Sequence, residues 1–457
     1  MQERIWIAML VSFSGLLACR AEEAEPGSNT AGGAAVEGSS GSFGLYPNCS
    51  GTGTGSVEVR VSGLPATVAA KLTLSEPSGT EHITRSVTLG NLPAGPYQSE
   101  VARVADADPI VRTLYEPTFG PTQFCLASGQ THVIELKYAP VPTSHHLWTN
   151  NSNGTGSLLG FSGAVLAASA DTAPTVAVSS GAGKDVGFDA DGNLWSMGST
   201  VADSHLLRFP RAALASSGEK EADRHIDIAG VSCLPAMRAL AFDDAGSLWV
   251  STCGGRVVRL NLAELESSGE VTPGVVLGNL TENGDLAFDA DADLWITSAD
   301  GVVRFDATRL GTSSEAPAEL SLHVRNDTDT QDVVPSNLAF DAAGNLWLID
   351  FGGNLVSQVA RADLEGSGSK SVVSRRTLAL SVAALLERPA FDESGGLWLA
   401  LSQNRFGRLA PAQLATSSTA GKPTTPATII TSPNMGNANR IAFFPAAAGL
   451  PLYHRFR

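Results

Sequence analysis

Positive charge is what this sequence most plainly lacks. Its 457 residues carry 30 Lys and Arg against 46 Asp and Glu, a formal net charge of −16. That is the wrong sign for a surface that holds phosphates and releases their counterions, so nucleic acid is excluded as an expected partner. Long charged helical stretches are scarce, whereas Gly, Ser, Thr and Ala abound, a composition that favours many short strands joined by turns. The sequence has no GxSxG elbow and no phosphate loop, so nucleophilic-hydrolase and nucleotide readings have no motif to rest on. Five cysteines are present and none are paired at CxxC spacing, which gives a zinc site no support.

What is there fits a folded body. About 43 % of the residues are hydrophobic and the mean hydropathy is +0.05, enough apolar material at this length for more than one domain. The expected class is all-β.

The first 19 residues bear on compartment. Arg4 supplies positive charge, Ile5 to Leu17 is mostly apolar, and the stretch ends Leu16-Leu17-Ala18-Cys19. It is too short for a spanning helix. A small residue directly before a cysteine, after a short apolar core, resembles the lipobox of bacterial lipoproteins. That resemblance implies a signal peptide over residues 1–19, a lipidated Cys19, and a membrane contact made through the lipid anchor. An ordinary signal peptide and a buried N-terminal helix are the alternatives. Arg20 follows the cysteine where many inner-membrane lipoproteins carry Asp, so the resemblance favours the outer membrane.

Setting Cys19 aside leaves Cys49, Cys125, Cys233 and Cys253, an even number that suggests disulfides outside the cytoplasm. They divide by region. Cys49 and Cys125 bracket one domain, and Cys233 and Cys253 flank one strand pair of the next, so a bridge is expected within each.

Residues 20–44 are polar and Gly-rich and read as a disordered tether. Over residues 45–140 apolar alternation sets in, as in Val57-Glu58-Val59-Arg60-Val61 and Val133-Ile134-Glu135-Leu136-Lys137, the mark of strands buried on one face. The phrases NLPAGPY from Asn91 and SGQTHVIELKY from Ser128 resemble small Ig-like or transthyretin-like β-sandwich modules of bacterial surface proteins.

Residues 144–457 contain an internal repeat. Five copies read VGFDADGNLW from Val186, LAFDDAGSLW from Leu240, LAFDADADLW from Leu286, LAFDAAGNLW from Leu338 and PAFDESGGLW from Pro389, spaced 46 to 54 residues apart. A degenerate copy starts at Ile441. Each predicts a hairpin: a strand ending at Phe, a turn capped by Asp with Gly at positive φ, and a second strand opening Leu-Trp. A third strand bearing Arg, a Leu-containing turn rich in Ser and Gly, and a fourth strand complete the unit. Trp148, Trp195, Trp249, Trp295, Trp347 and Trp398 recur at one position and are expected to pack between neighbours. The array begins at His146-Leu147-Trp148 without its FDxxG strand and ends with little else than that strand. Pairing the two fragments closes a ring of six blades; seven blades, with Leu450 to Phe456 counted separately, is the alternative.

FDxxGNLW followed by a strand with Arg resembles the NHL, streptogramin-lyase and gluconolactonase type of six-bladed β-propeller. The resemblance implies ligands over the central channel, where the innermost strands begin. It places Asp185, Arg238, Asp285, Asn337, Arg388 and Arg440 around that mouth, with Asp300, Asp350, Gln403 and Asn404 on an outer rim. Such a mixed ring can orient a small anion or sugar, or hold a divalent cation such as calcium through Asp185, Asp285 and Asn337. Alternatively these residues pair with one another and plug the channel. The repeated Asp residues lack the full calcium-loop spacing and read as turn caps. His145 and His146 fall at the domain junction, and His205 and His225 in loops, as surface residues.

The function expected is a cell-envelope lipoprotein that displays a propeller to bind a protein, peptide or glycan, without catalysis. A metal-dependent lactonase-like hydrolase, or a streptogramin-lyase-like enzyme, is the alternative. No His lies within the FDxxG or LW motifs, a departure from the lyases that puts their activity in doubt here.

Overall fold

The structure is a computed structural model and describes Cys49 and residues 51–450, less 77–78, 109, 152–155, 199–204, 232–236, 282, 351, 353, 383, 385–386, 437 and 448–449. The lipobox, Cys19, the tether, Cys233 and the segment from residue 451 onward lie outside the described residues. Among the described residues no helix is long and apolar enough to cross a membrane.

Two sheets form the first part. Thr54–Ser62 lies between Val87–Pro93 and Thr131–Pro140 in one, and Leu72–Glu76 lies between Gly79–Ile83 and Gly95–Val101 in the other. Their alternating apolar residues meet in one core that includes Val57, Val59, Leu72, Leu74, Tyr97, Phe124, Ile134 and Leu136, as period-two patterning requires. Cys49 and Cys125 are bridged across a separation of 76 residues. Cys253 is also disulfide-bonded.

The rest is built from a repeated antiparallel unit. The first repeat sheet runs Ala182–Phe188, Leu194–Gly198, His205–Phe209, Arg224–Ile228, in that spatial order. Met237–Phe242, Asn283–Phe288, Pro335–Phe340 and Ala390–Phe391 open four more sheets of the same order. The closing sheet sets the last strand, Ala438–Phe444, beside the early strand His146–Asn151, with Trp148 opposite Ala442 and His146 opposite Phe444. Each opening strand touches the next, and Ala438–Phe444 touches both Ala182–Phe188 and the strand at Ala390–Phe391, so the opening strands encircle an axis. This is a β-propeller.

The repeat motif explains why the sheets pack. In all five copies one oxygen of the turn Asp accepts backbone N–H groups two and four residues on. The other oxygen accepts the Trp indole N–H at 2.7 to 3.0 Å, as in Asp189 with Trp195 and Asp289 with Trp295. The Asp residues are turn caps, as their spacing predicts. Each Trp then meets the Phe of the next sheet edge to face. The pairs Trp148–Phe188, Trp195–Phe242, Trp249–Phe288, Trp295–Phe340, Trp347–Phe391 and Trp398–Phe443 have centroids 5.9 to 6.4 Å apart. The repeated Arg of the third strand lies over the same ring, 5.8 Å from its centre, in Arg208–Trp195, Arg259–Trp249 and Arg304–Trp295. The Leu-bearing turns are short 3-10 turns that bury Leu214, Leu265 and Leu364.

The two-sheet part seats on the face that carries the FDxxG turns. Arg103 donates Nη1 to the Ala190 carbonyl at 3.1 Å and Glu116 pairs with Arg211 at 2.6 Å, while Leu114 and Val141 enter the propeller core. His146, expected at the surface, is 5 % exposed, with Nδ1 2.8 Å from the Ser144 carbonyl and its ring beside those of His145 and Trp148. His205 and His225 stand on strands rather than in loops.

Candidate functional site

The opening strands carry polar residues just before their apolar halves, and these meet at the axis. Asp185 and Asp285 have fully buried carboxylates. Arg388 donates Nε and Nη2 to Asp285 Oδ1 at 2.8 and 2.5 Å and brings Nη2 within 3.1 Å of Asp185 Oδ2. Its Nη1 reaches the Leu240 carbonyl at 2.8 Å. Arg440 adds a second guanidinium, 2.8 Å from Asp285, 3.5 Å from Asp185 and 3.5 Å from Glu387. Backbone N–H groups complete the set: Val186 and Leu240 donate to Asp185, and Leu338 to Asp285.

Burial opposes ionisation of every acid here, and the arginines decide the outcome. Asp285 holds both guanidiniums, which overcome its burial and take it below the ordinary aspartate range. Asp185 shares them at longer range and is lifted above it by burial. Glu387 is pushed up to about 7, first by burial and then by Asp185 and Asp285 against the pull of Arg440.

The structure thus brings together Asp185, Asp285, Arg388 and Arg440 of the residues singled out in the sequence. Asn337 is buried near the start of its strand and donates Nδ2 to Ser336 Oγ, with Oδ1 left without a hydrogen bond among the described residues. Arg238 is half-buried and its Nε makes no hydrogen bond among the described residues. Asp350 caps a loop, accepting from the Val334 and Gly352 N–H groups at 3.0 and 2.9 Å. Asp300 is exposed in a turn, and Gln403 and Asn404 occupy another at positive φ. Glu387 was not singled out. Its only signal is its place beside Arg388, since nothing in one sequence shows which blade an axial side chain will face.

One cavity adjoins this cluster and another concavity lies apart from it. An axial cavity of about 100 Å3, lined by Phe188, Phe288, Phe340, Phe391 and Phe443 with Arg388 at its wall, runs between the opening strands. It is apolar and small, with room for a few water molecules. A larger cleft of about 370 Å3 lies where the two-sheet part meets the propeller, lined among others by Arg103, Glu116, Asp191, Arg208 and Leu262. Leu262 is 50 % exposed there.

No protein-family model matches the chain, and no curated protein matches it. Solved structures similar to it include virginiamycin B lyase from Staphylococcus aureus, at 15 % identity and a TM-score of 0.26 over 39 % of this chain and 53 % of that one. The extracellular domain of a one component system from B. thetaiotaomicron is 16 % identical, with a TM-score of 0.37 over 66 % of this chain and 40 % of that one. A protein of unknown function from Bacteroides caccae is 10 % identical, with a TM-score of 0.38 over 62 % of this chain and 97 % of that one. The chain spans less than two thirds of the lyase and of the extracellular domain. Likeness at this level carries no activity across.

Proposed function

We propose that this chain is an exported, lipid-anchored envelope protein whose six-bladed propeller binds a protein or peptide ligand, in the cleft beside a small Ig-like sandwich, without catalysis at its axis. The observation that carries the reading is the pairing of Asp185 and Asp285 with Arg388 and Arg440. Two guanidiniums already fill the carboxylate faces that a divalent cation would need, and a cation there would be opposed by both. The axis serves as an internal brace. The cleft offers what recognition of a polypeptide uses: charges of both signs around an exposed Leu262. The lipobox pattern at Leu16 to Cys19 and the bridged Cys49–Cys125 support an oxidising, extracytoplasmic location.

Site-specific photocrosslinking in the native host tests this. A photoreactive residue at Ala245, exposed at the cleft, is expected to trap a discrete partner; the same residue at exposed Thr416, away from it, is not. Equal or absent crosslinking at the two positions would overturn the assignment of the cleft. Radiolabelled fatty acid entering the intact chain but not Cys19→Ala tests the anchor. One equivalent of calcium bound by the purified chain and lost in Asp285→Asn would favour the metal-dependent enzyme instead.

A further inference from the structure

On the first repeat sheet two histidines and an aspartate converge from adjacent strands. His205 opens the strand His205–Phe209 and lies directly opposite Asp227 of the antiparallel strand Arg224–Ile228. His225 is two residues before Asp227, so the alternation of a strand puts it on the same face. The imidazole rings are 4.1 Å apart, tilted by 43°, and His205 Nδ1 lies 3.7 Å from Asp227 Oδ1. One donor atom from each of the three residues falls within 4.8 Å of the others.

We propose that His205, His225 and Asp227 form a binding site for a first-row transition ion of the zinc, copper or nickel kind. Two imidazoles are the borderline nitrogen donors such ions prefer, and zinc takes a carboxylate as a further ligand, whereas calcium and magnesium are held by oxygen donors alone. An ion about 2.0 to 2.1 Å from each donor in tetrahedral geometry needs donors about 3.4 Å apart. His225 is exposed and His205 and Asp227 are part-exposed, so their side chains can close from the present spacing by small rotations. The sheet register holds the backbone positions, so binding has only the three side chains to order. Three protein donors leave at least one position to water or to a donor from outside. Glu270, opposite Asp227 on the neighbouring parallel strand Gly269–Val271, adds negative charge to the same row.

The site is separate from the axis and from the cleft, so its fate is independent of the function proposed above. Untagged, EDTA-treated full-length protein would be titrated calorimetrically with Zn2+, and with Cu2+ followed by electron paramagnetic resonance. One equivalent of each is expected, with nitrogen hyperfine coupling from two imidazoles in the copper spectrum. His205→Ala and His225→Ala are each expected to weaken binding at least tenfold, Asp227→Asn to weaken it less, and His82→Ala, an exposed histidine elsewhere, to leave it unchanged. Absence of stoichiometric binding at micromolar metal, or binding that survives both histidine substitutions in folded protein, would overturn the proposal. Circular dichroism of the variants separates loss of the site from loss of the fold.

Discussion

Arg388 crosses the propeller axis to Asp285, 103 positions earlier in the chain, and donates two hydrogen bonds to one carboxylate oxygen. Both side chains are nearly or fully out of water, 9 % and 0 % exposed. Removing Arg388 leaves Asp285 with Arg440 as its remaining guanidinium, so the loss falls short of the about 3 to 5 kcal/mol of a wholly unpaired buried charge. Arg388→Met is therefore expected to destabilise the chain by about 2 to 3 kcal/mol in urea unfolding. Asp285→Asn combined with Arg388→Met is expected to cost clearly less than the sum of the single changes, because the two side chains interact directly. Additive costs would show that the pair is uncoupled.

Glu387 makes the brace sensitive to pH. Its carboxyl is raised from 4.5 to about 7, so below pH 4.5 it is protonated in both folded and unfolded chains and its contribution to stability is fully present. As pH climbs from 4.5 to about 7 the unfolded chain releases the proton and the folded chain keeps it, and stability falls. At 1.36 kcal/mol per pH unit the interval amounts to about 3 kcal/mol. Urea midpoints measured from pH 4.5 to 8 are expected to fall along this course and to flatten in Glu387→Gln. An unchanged slope in the variant would remove Glu387 from the account.

The third repeat breaks its own rule. Four copies place Gly192, Gly246, Gly344 and Gly395 at φ of 80 to 83° in the turn, whereas the copy at Asp289 has Ala292 there, at φ 64°. A side chain in the left-handed region costs roughly 1 kcal/mol, and glycine would remove that cost while adding some freedom to the unfolded chain. Ala292→Gly is expected to raise stability by about 0.5 kcal/mol, and Gly344→Ala to lower it by about 1 kcal/mol. Matched thermal and urea unfolding of the two variants checks the opposite signs.

The contrast between these residues shows what a single sequence reveals. FDxxG, Leu-Trp and the Arg strand are local patterns repeated five times, so the hairpin, the Asp cap and the Trp position were legible from spacing alone. The strand Ala438–Phe444 could be expected beside His146–Asn151 because each fragment lacks what the other supplies. The axis was legible only in part. Position relative to Phe marked Asp185, Asp285, Arg388 and Arg440 as axial, but their mutual pairing depends on which side chains reach across a ring, a property of no single repeat. Asn337 satisfied the same positional rule and donates to the adjacent Ser336 instead, while Asp350, expected on the outer rim, accepts from the Val334 and Gly352 N–H groups. The convergence of His205, His225 and Asp227 needed the register of two strands joined by a long connection, and that register is set by the buried faces rather than by the histidines.

Asp392 provides the sharpest test of the repeat itself. Like Asp243 it accepts two backbone N–H groups and the indole N–H of its Trp, here Trp398 at 2.9 Å. Unlike Asp243 it also holds Arg408, whose Nε lies 2.5 Å from Oδ2, and its carboxylate is fully buried. Asp243→Ala removes a turn cap and leaves one indole N–H unpaired, a cost of about 1 to 3 kcal/mol. Asp392→Ala removes the same groups and strands a guanidinium that is only 12 % exposed, so its cost should exceed that of Asp243→Ala by about 2 kcal/mol or more. Asp392→Asn keeps the turn acceptor and loses the charge, and is expected to fall between the two. Equal midpoints for Asp243→Ala and Asp392→Ala would mean that Arg408 finds solvent readily once released, and that the fifth repeat is held by its turn and its Trp398–Phe443 contact alone.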